Sequence, residues 1–210
     1  VTDTFGERNQ GTTTEQGIAV WADIAAAAAA AGVSASVTLS ASFGCPYEGE
    51  VPVGRLADVV ARCVEVGGQE IALADSIGVA VPTDVRERLG VTRDAIAAAG
   101  TGQRIRVHFH NTRNTGLAAV AAAVEDGVDT VDASLGGIGG CPFAPGATGN
   151  VATEDVAFLL DRMGYRTGVD QDALIDAVRW MQTDELLGRA TPGALGRAGP
   201  FPRPDDRSAA

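Results

Sequence analysis

Apolar positions along this chain follow two rhythms that take turns. Short runs that are continuously apolar or alternate apolar with small and polar residues predict strands over 33–39, 70–75, 104–109 and 128–134. Between them lie longer windows with helical character: Arg55–Val66 before Gly67-Gly68, Pro82–Ala99 opened by its proline, and Leu117–Glu125. Two more helices are predicted at Thr153–Met163 and Asp172–Met181. Ahead of the first strand, Thr12 stands three residues before Glu15 in a capping-box pattern. The helix it opens runs through seven alanines at 25–31, strong helix formers, and stops at Gly32. A partial strand is expected at 1–5 and a short one near 149–152.

Strands alternating with helices predict βαβ units and a parallel sheet, because parallel neighbours need crossovers. The repeat of roughly 25–30 residues suits a β/α barrel and equally an open doubly wound sheet. No G-x-G-x-x-G opens a helix after a first strand, so the dinucleotide version of the open sheet has no signature here. The 210 residues fall short of the ~250 of a complete (β/α)₈ barrel. About six units fit into 1–181, read as one partial barrel domain, and 182–210, rich in Pro, Gly, Arg and Asp, reads as a flexible tail.

Charge and composition narrow the function classes. There are 27 acidic against 16 basic side chains, a net charge of -11, and no Lys/Arg cluster, which argues against a nucleic-acid partner. The longest apolar run, 24–33, is too short to span a bilayer, so no membrane role is expected, and 1–10 has no apolar core of a leader peptide. Cys45, Cys63 and Cys141 are odd in number and widely spaced, which fits free thiols in a cytoplasmic compartment better than a disulfide framework or a Cys-x-x-Cys metal site.

In β/α barrels the chemistry gathers at the C-terminal ends of the strands. Here those ends lead into 40–48, Asp75-Ser-Ile-Gly78, His108-Phe-His-Asn-Thr112 and Asp132-Ala-Ser134, followed by a Gly-rich loop over 136–149. His108 and His110 are the two histidines of the chain, and i, i+2 spacing on a strand puts both on one face. They can share a divalent metal or serve as structural histidines bonded to loop carbonyls, and both readings stand at this point. An oxygen ligand such as Asn150 would move the site toward Mg²⁺ or Mn²⁺. Cys141, in Gly-Gly-Ile-Gly-Gly-Cys-Pro, is either a thiol on a mobile lid or a small buried filler beside a turn, and Cys45 has a similar Gly-Cys-Pro setting. Cys63, in mid-helix, reads as core. Asp75 and Asp132 can hold catalytic residues or cap the following helix, with capping the readier reading of each taken singly. Arg113 can meet an anion or simply face solvent, and Glu48 and Glu50 read as solvated loop residues.

Phe43-Gly-Cys-Pro-Tyr-Glu-Gly49, His108-Phe-His-Asn-Thr112, Ser134 through Phe143, Ala144-Pro-Gly-Ala-Thr-Gly-Asn150 and Ala152-Thr-Glu-Asp155 occur in order. Together they resemble 3-hydroxy-3-methylglutaryl-CoA lyase and its bacterial relatives, from about Val1 to Val178. The resemblance implies a metal-dependent (β/α)₈ TIM barrel, here N-terminally incomplete, and cleavage of 3-hydroxy-3-methylglutaryl-CoA to acetyl-CoA and acetoacetate. It implies a Mg²⁺ or Mn²⁺ cofactor held by His108, His110 and Asn150, with Cys141 as the catalytic thiol and His108 assisting proton transfer. The implied partner is a small acyl-CoA substrate, and a homodimer is compatible with it.

Two departures shape the expectation. Asn111 follows the second histidine where much of the family has Asp, which fits the bacterial branch and leaves the acyl group open. The family also begins with a strand carrying an Arg-Asp pair, the Asp a metal ligand and the Arg an enolate stabiliser. No counterpart precedes Val1, and residues 1–10 are similar to the end of the family's third strand and its loop. The expected alternatives are therefore a lyase of a related branched 3-hydroxyacyl-CoA, or an inactive partial barrel that only packs with a partner. Weak or absent activity is expected of the 210 residues alone.

Overall fold

A computed structural model describes residues 1–140 and 149–183. Four strands, β1 (Ser36–Leu39), β2 (Glu70–Asp75), β3 (Arg104–Phe109) and β4 (Thr130–Asp132), form one parallel sheet in the order β1-β2-β3-β4. A doubly wound sheet reverses its order at a switch point. Here every strand lies beside its sequence neighbour, as in the wall of a β/α barrel. The helices are α1 (Asp3–Gln10), α2 (Thr14–Ala31), α3 (Val53–Val66), α4 (Pro82–Ala99), α5 (Gly116–Glu125), α6 (Thr153–Arg162) and α7 (Gln171–Thr183). The chain divides into two compact units. Among the described residues, the first contains 1–132 with 140 and 149–150, and the second 133–139 with 151–183.

The pleat sorts the strand residues. Leu39, Ile71, Leu73, Ile105, Val107 and Phe109 are buried and share the core with Leu56, Val60, Val85, Leu89 and Val120 of the helices. On the opposite face β3 shows Arg106 and His108, both half-buried. Register places Thr38, Ala72, Arg106 and Thr130 in one row and Ala74, His108 and Asp132 in the next. In the second unit, Val156 and Ala157 of α6 and Ile175, Val178 and Met181 of α7 are buried. There the Glu154 carboxylate accepts from the Gly136 N–H at 3.0 Å, at the 3₁₀ turn Leu135–Gly137.

Several boundaries differ from the sequence expectation. The partial strand expected at 1–5 is the start of helix α1: extended Thr2 precedes it, Asp3 favours its positive N-terminus, and Gly11 closes it in the left-handed conformation. The capping box of α2 uses Thr13 and Gln16, one residue later than Thr12 and Glu15. β1 starts at Ser36 and not at 33, because Val33 donates to Ala28 O and still belongs to the end of α2. Near 149–152 there is no strand, only single bridges, His110 with Asn150 and Ser134 with Ala152. Of the flexible tail expected at 182–210, the first two residues continue α7, which runs to Thr183, and the rest lies outside the described residues. Among the described residues no helix is long and apolar enough to cross a membrane.

Candidate functional site

The period of two along β3 puts Arg106, His108 and, one step past the strand end, His110 on the same face. The two imidazole centroids are 5.3 Å apart with planes tilted by 59°. His110 is 5% exposed, and its Nδ1 is buried with no hydrogen-bond partner. Burial, and then the neighbouring His108, lower its pKa to about 4, so the ring is neutral and a lone pair is available at ordinary pH. An antiparallel bridge joins His110 to Asn150, and Asn111 N–H donates to Gly149 O at 3.0 Å. That bridge brings Asn150, forty residues on in sequence, to the histidine pair.

A common ion at ~2.1 Å from each of two imidazole nitrogens sets ring centres about 4.5–5.5 Å apart. The pair therefore has a spacing that a cation can use, and the buried, unsatisfied His110 Nδ1 is a donor that one would satisfy. Among the described residues no cluster of three or more His, Cys, Asp and Glu forms, and the further donor that they place beside the pair is the Asn150 amide. Cys141 lies outside the described residues.

The loops around the histidines are tied down from three sides. Asp75, buried at the end of β2, accepts from Val79 N–H at 3.0 Å and Ala80 N–H at 2.8 Å. This is the capping role, applied to the loop before α4. Desolvation raises its pKa, partly offset by those amides. Arg113 donates to Ile77 O at 2.6 Å and Gly78 O at 3.3 Å, so it clamps the 76–80 loop. Arg88 of α4, 5% exposed, donates from Nε to Ser42 O at 2.9 Å and from Nη2 to Val51 O at 3.0 Å, and its guanidinium lies 5.4 Å from the Phe43 ring centre. Phe43 in turn packs on Phe109, the residue between the two histidines, with centroids 5.6 Å apart.

Asp132 does not cap a helix. Its Oδ2 lies 3.4 Å from His108 Nδ1 and accepts from Arg106. The other cysteines are placed in the interior. Cys63 is core, and burial pushes its thiol up to about 11, while buried Cys45 accepts from Thr2 Oγ1 at 3.1 Å. Glu48, exposed, accepts from Thr4 N–H at 3.0 Å. Sequence reading missed Arg106, although Arg-x-His-x-His at strand spacing was available as a signal. It also missed Arg88, which resembles any polar residue of a surface helix.

A family model described as HMGL-like matches residues 1–181. The chain belongs to the HMGL-like family. It is 44% identical over 169 residues to the (R)-citramalyl-CoA lyase of Chloroflexus aurantiacus, a match covering 80% of this chain and 51% of that protein. It is 35% identical over 190 residues to the hydroxymethylglutaryl-CoA lyase YngG of Bacillus subtilis, covering 90% and 62%. Among solved structures, an HMG-CoA lyase of Acinetobacter baumannii in complex with coenzyme A and 3-methylmalate superposes with a TM-score of 0.83 at 36% identity, over 96% of this chain and 65% of that one. The expected family and the barrel-type α/β fold are thereby established. The chain spans about half the length of the first of these HMGL-like relatives and under two thirds of the second.

Proposed function

We propose that the protein carrying this chain is a divalent-metal-dependent carbon–carbon lyase that cleaves 3-hydroxy-3-methylglutaryl-CoA to acetyl-CoA and acetoacetate. The observation that carries the reading is the histidine pair on one face, with buried, unsatisfied His110 Nδ1 and Asn150 bridged beside it. His108, His110 and Asn150 would hold Mg²⁺ or Mn²⁺, which when bound acidifies the substrate's C3 hydroxyl and orients it. The acidified hydroxyl would then lose its proton to a base, a transfer that His108 assists from beside it. The C2–C3 bond then breaks, its electron pair passing to the thioester as an enolate while C3 becomes the ketone. The Cys141 thiol delivers its proton to C2, and the proton that left the hydroxyl restores the thiol. Acetoacetate and acetyl-CoA account for every atom of the substrate.

A second substrate, (R)-citramalyl-CoA, is favoured by the 44% identity to a lyase of that name. The same bond cleavage with a carboxylate on C3 releases pyruvate and acetyl-CoA. Asn111, beside the second histidine, fits the bacterial branch and leaves the acyl group open between the two substrates.

Both thioesters should be offered to the protein with Mn²⁺ and with Mg²⁺, and acetoacetate and pyruvate measured. The reading expects metal-dependent release of one product, abolished by EDTA and reduced at least about a hundredfold in His110→Ala. EDTA-insensitive turnover, or His110→Ala within twofold of the parent, would refute it.

A further inference from the structure

A row of charged side chains crosses the face of the sheet that carries the histidines, and the proposed bond cleavage makes no use of it. Arg106 on β3 donates from Nε to Glu70 Oε1 on β2 at 2.8 Å and from Nη2 to Thr38 Oγ1 on β1 at 3.3 Å. Its Nη1 donates to Asp132 Oδ2 on β4, and that same oxygen lies 3.4 Å from His108 Nδ1. The register makes this unavoidable. His108 and Asp132 are direct partners across β3 and β4, and Arg106 sits one pleat earlier on the same face. Glu70 and Arg106 are 12% and 19% exposed, so the pair between them is held largely out of water. Between two carboxylates, one guanidinium leaves the row with a net negative charge, directed at the histidine.

We propose that Asp132, clamped by Arg106, is the positioning residue of His108. A neutral imidazole has one N–H and one lone pair, and a fixed carboxylate beside Nδ1 selects the tautomer that carries its proton there. The lone pair is then on Nε2, on the side of the ring away from Asp132. Arg106 is the second positioning residue. It holds one carboxylate oxygen by a charge-assisted bond so that the Asp132 side chain cannot swing to solvent, and Glu70 and Thr38 fix the guanidinium from its other edge. Carboxylate–histidine pairing of this kind orients a ring for a cation or a proton, and its loss typically weakens metal binding about 10- to 100-fold. This inference rests on His108 being a ligand, as proposed above, but its first readout does not involve the metal.

The chain has two histidines, so the ¹⁵N spectrum of its imidazoles contains two rings, separable by the loss of one set in His108→Gln. In metal-free protein, at a pH where both rings are neutral, His108 is expected as the Nδ1–H tautomer. Asp132→Ala should move it to a mixture dominated by Nε2–H. Arg106→Gln should move it part of the way, and Arg106→Lys should largely restore it. Asp132→Asn, which keeps the shape and one acceptor oxygen but loses the charge, gives an intermediate population and serves if the alanine variant does not fold. Mn²⁺ affinity, read by titration, should fall about tenfold in Arg106→Gln. An Nε2–H His108 in the parent protein, or a His108 unmoved in either Asp132 variant, overturns the proposal. If His108→Gln leaves Mn²⁺ binding intact, the metal reading fails while the tautomer still decides the positioning role.

Discussion

Replacing Arg88 by methionine removes a buried charge without removing its stem. The parent side chain makes two hydrogen bonds to main-chain carbonyls, Ser42 O at 2.9 Å and Val51 O at 3.0 Å, one near each end of the loop that follows β1. Methionine keeps most of the apolar contact with Phe43 and leaves both carbonyls unpaired. Hydrogen bonds to a charged group contribute about 1.5–3 kcal/mol each. Part of that is returned, because the only carboxylate near the guanidinium among the described residues is exposed Glu87 at 4.0 Å, and the desolvation of Arg88 is relieved in the variant. A net loss of about 2–4 kcal/mol follows, equivalent to roughly 5–15 °C in Tm for a chain of this size. Urea unfolding followed by circular dichroism should show a lower midpoint with an unchanged slope, and Arg88→Lys, able to reach one carbonyl, should fall between. A loss under about 0.5 kcal/mol would mean that Arg88 is not the anchor of this loop.

Other expectations concern single groups. Gly78 has φ +64° and an added Cβ would stand 2.8 Å from Thr112 N, so Gly78→Ala should destabilise by about 1–3 kcal/mol, and a neutral result in thermal unfolding would show that the two loops separate easily. The Cys63 thiol, raised to about 11 from 9.0, holds about a hundredfold less thiolate at pH 8 than an ordinary one. Its peptide should therefore be alkylated at least that much more slowly, as mass spectrometry would read. Because burial raises the Asp75 pKa, the native state binds its proton more tightly than the unfolded chain. Its contribution is complete below the ordinary Asp range and lost as pH rises through the folded value, a slope that should vanish from urea midpoints in Asp75→Asn. His110 runs the other way: with a pKa near 4 it should stay neutral in NMR titrations down to that pH, and the stability it brings is lost as pH falls from the ordinary His range. A midpoint above 6 would contradict its burial.

Much of the wall was legible because the pleat and the helical period leave direct marks. Strands β2 and β3 appear at their expected residues, since Glu70–Asp75 and Arg104–Phe109 are bounded by turn residues on one side and polar loops on the other. Val1–Phe5 misled because five residues are too few to separate a strand from a helix start, and the deciding Gly11 cap lies beyond them. The His108–His110 pairing follows from strand spacing alone. The Asn150 contact does not, because it depends on how a loop returns to the sheet. Asp132 was weighed as a cap because its partner, Arg106, sits twenty-six residues earlier and becomes its neighbour only through the parallel register.

The alternation His108-Phe109-His110 has one further consequence. Phe109 faces the interior and touches Phe43 of the loop that follows β1, while the histidines face the other way. The spacing between the rings is thus set by the backbone repeat of a strand whose other side is locked in hydrocarbon. Substitutions at the exposed positions 48–50 of that loop leave the distance between the imidazoles untouched, provided that Phe43 stays. In this fold the tolerance for change and the need for accuracy are assigned to opposite sides of one strand.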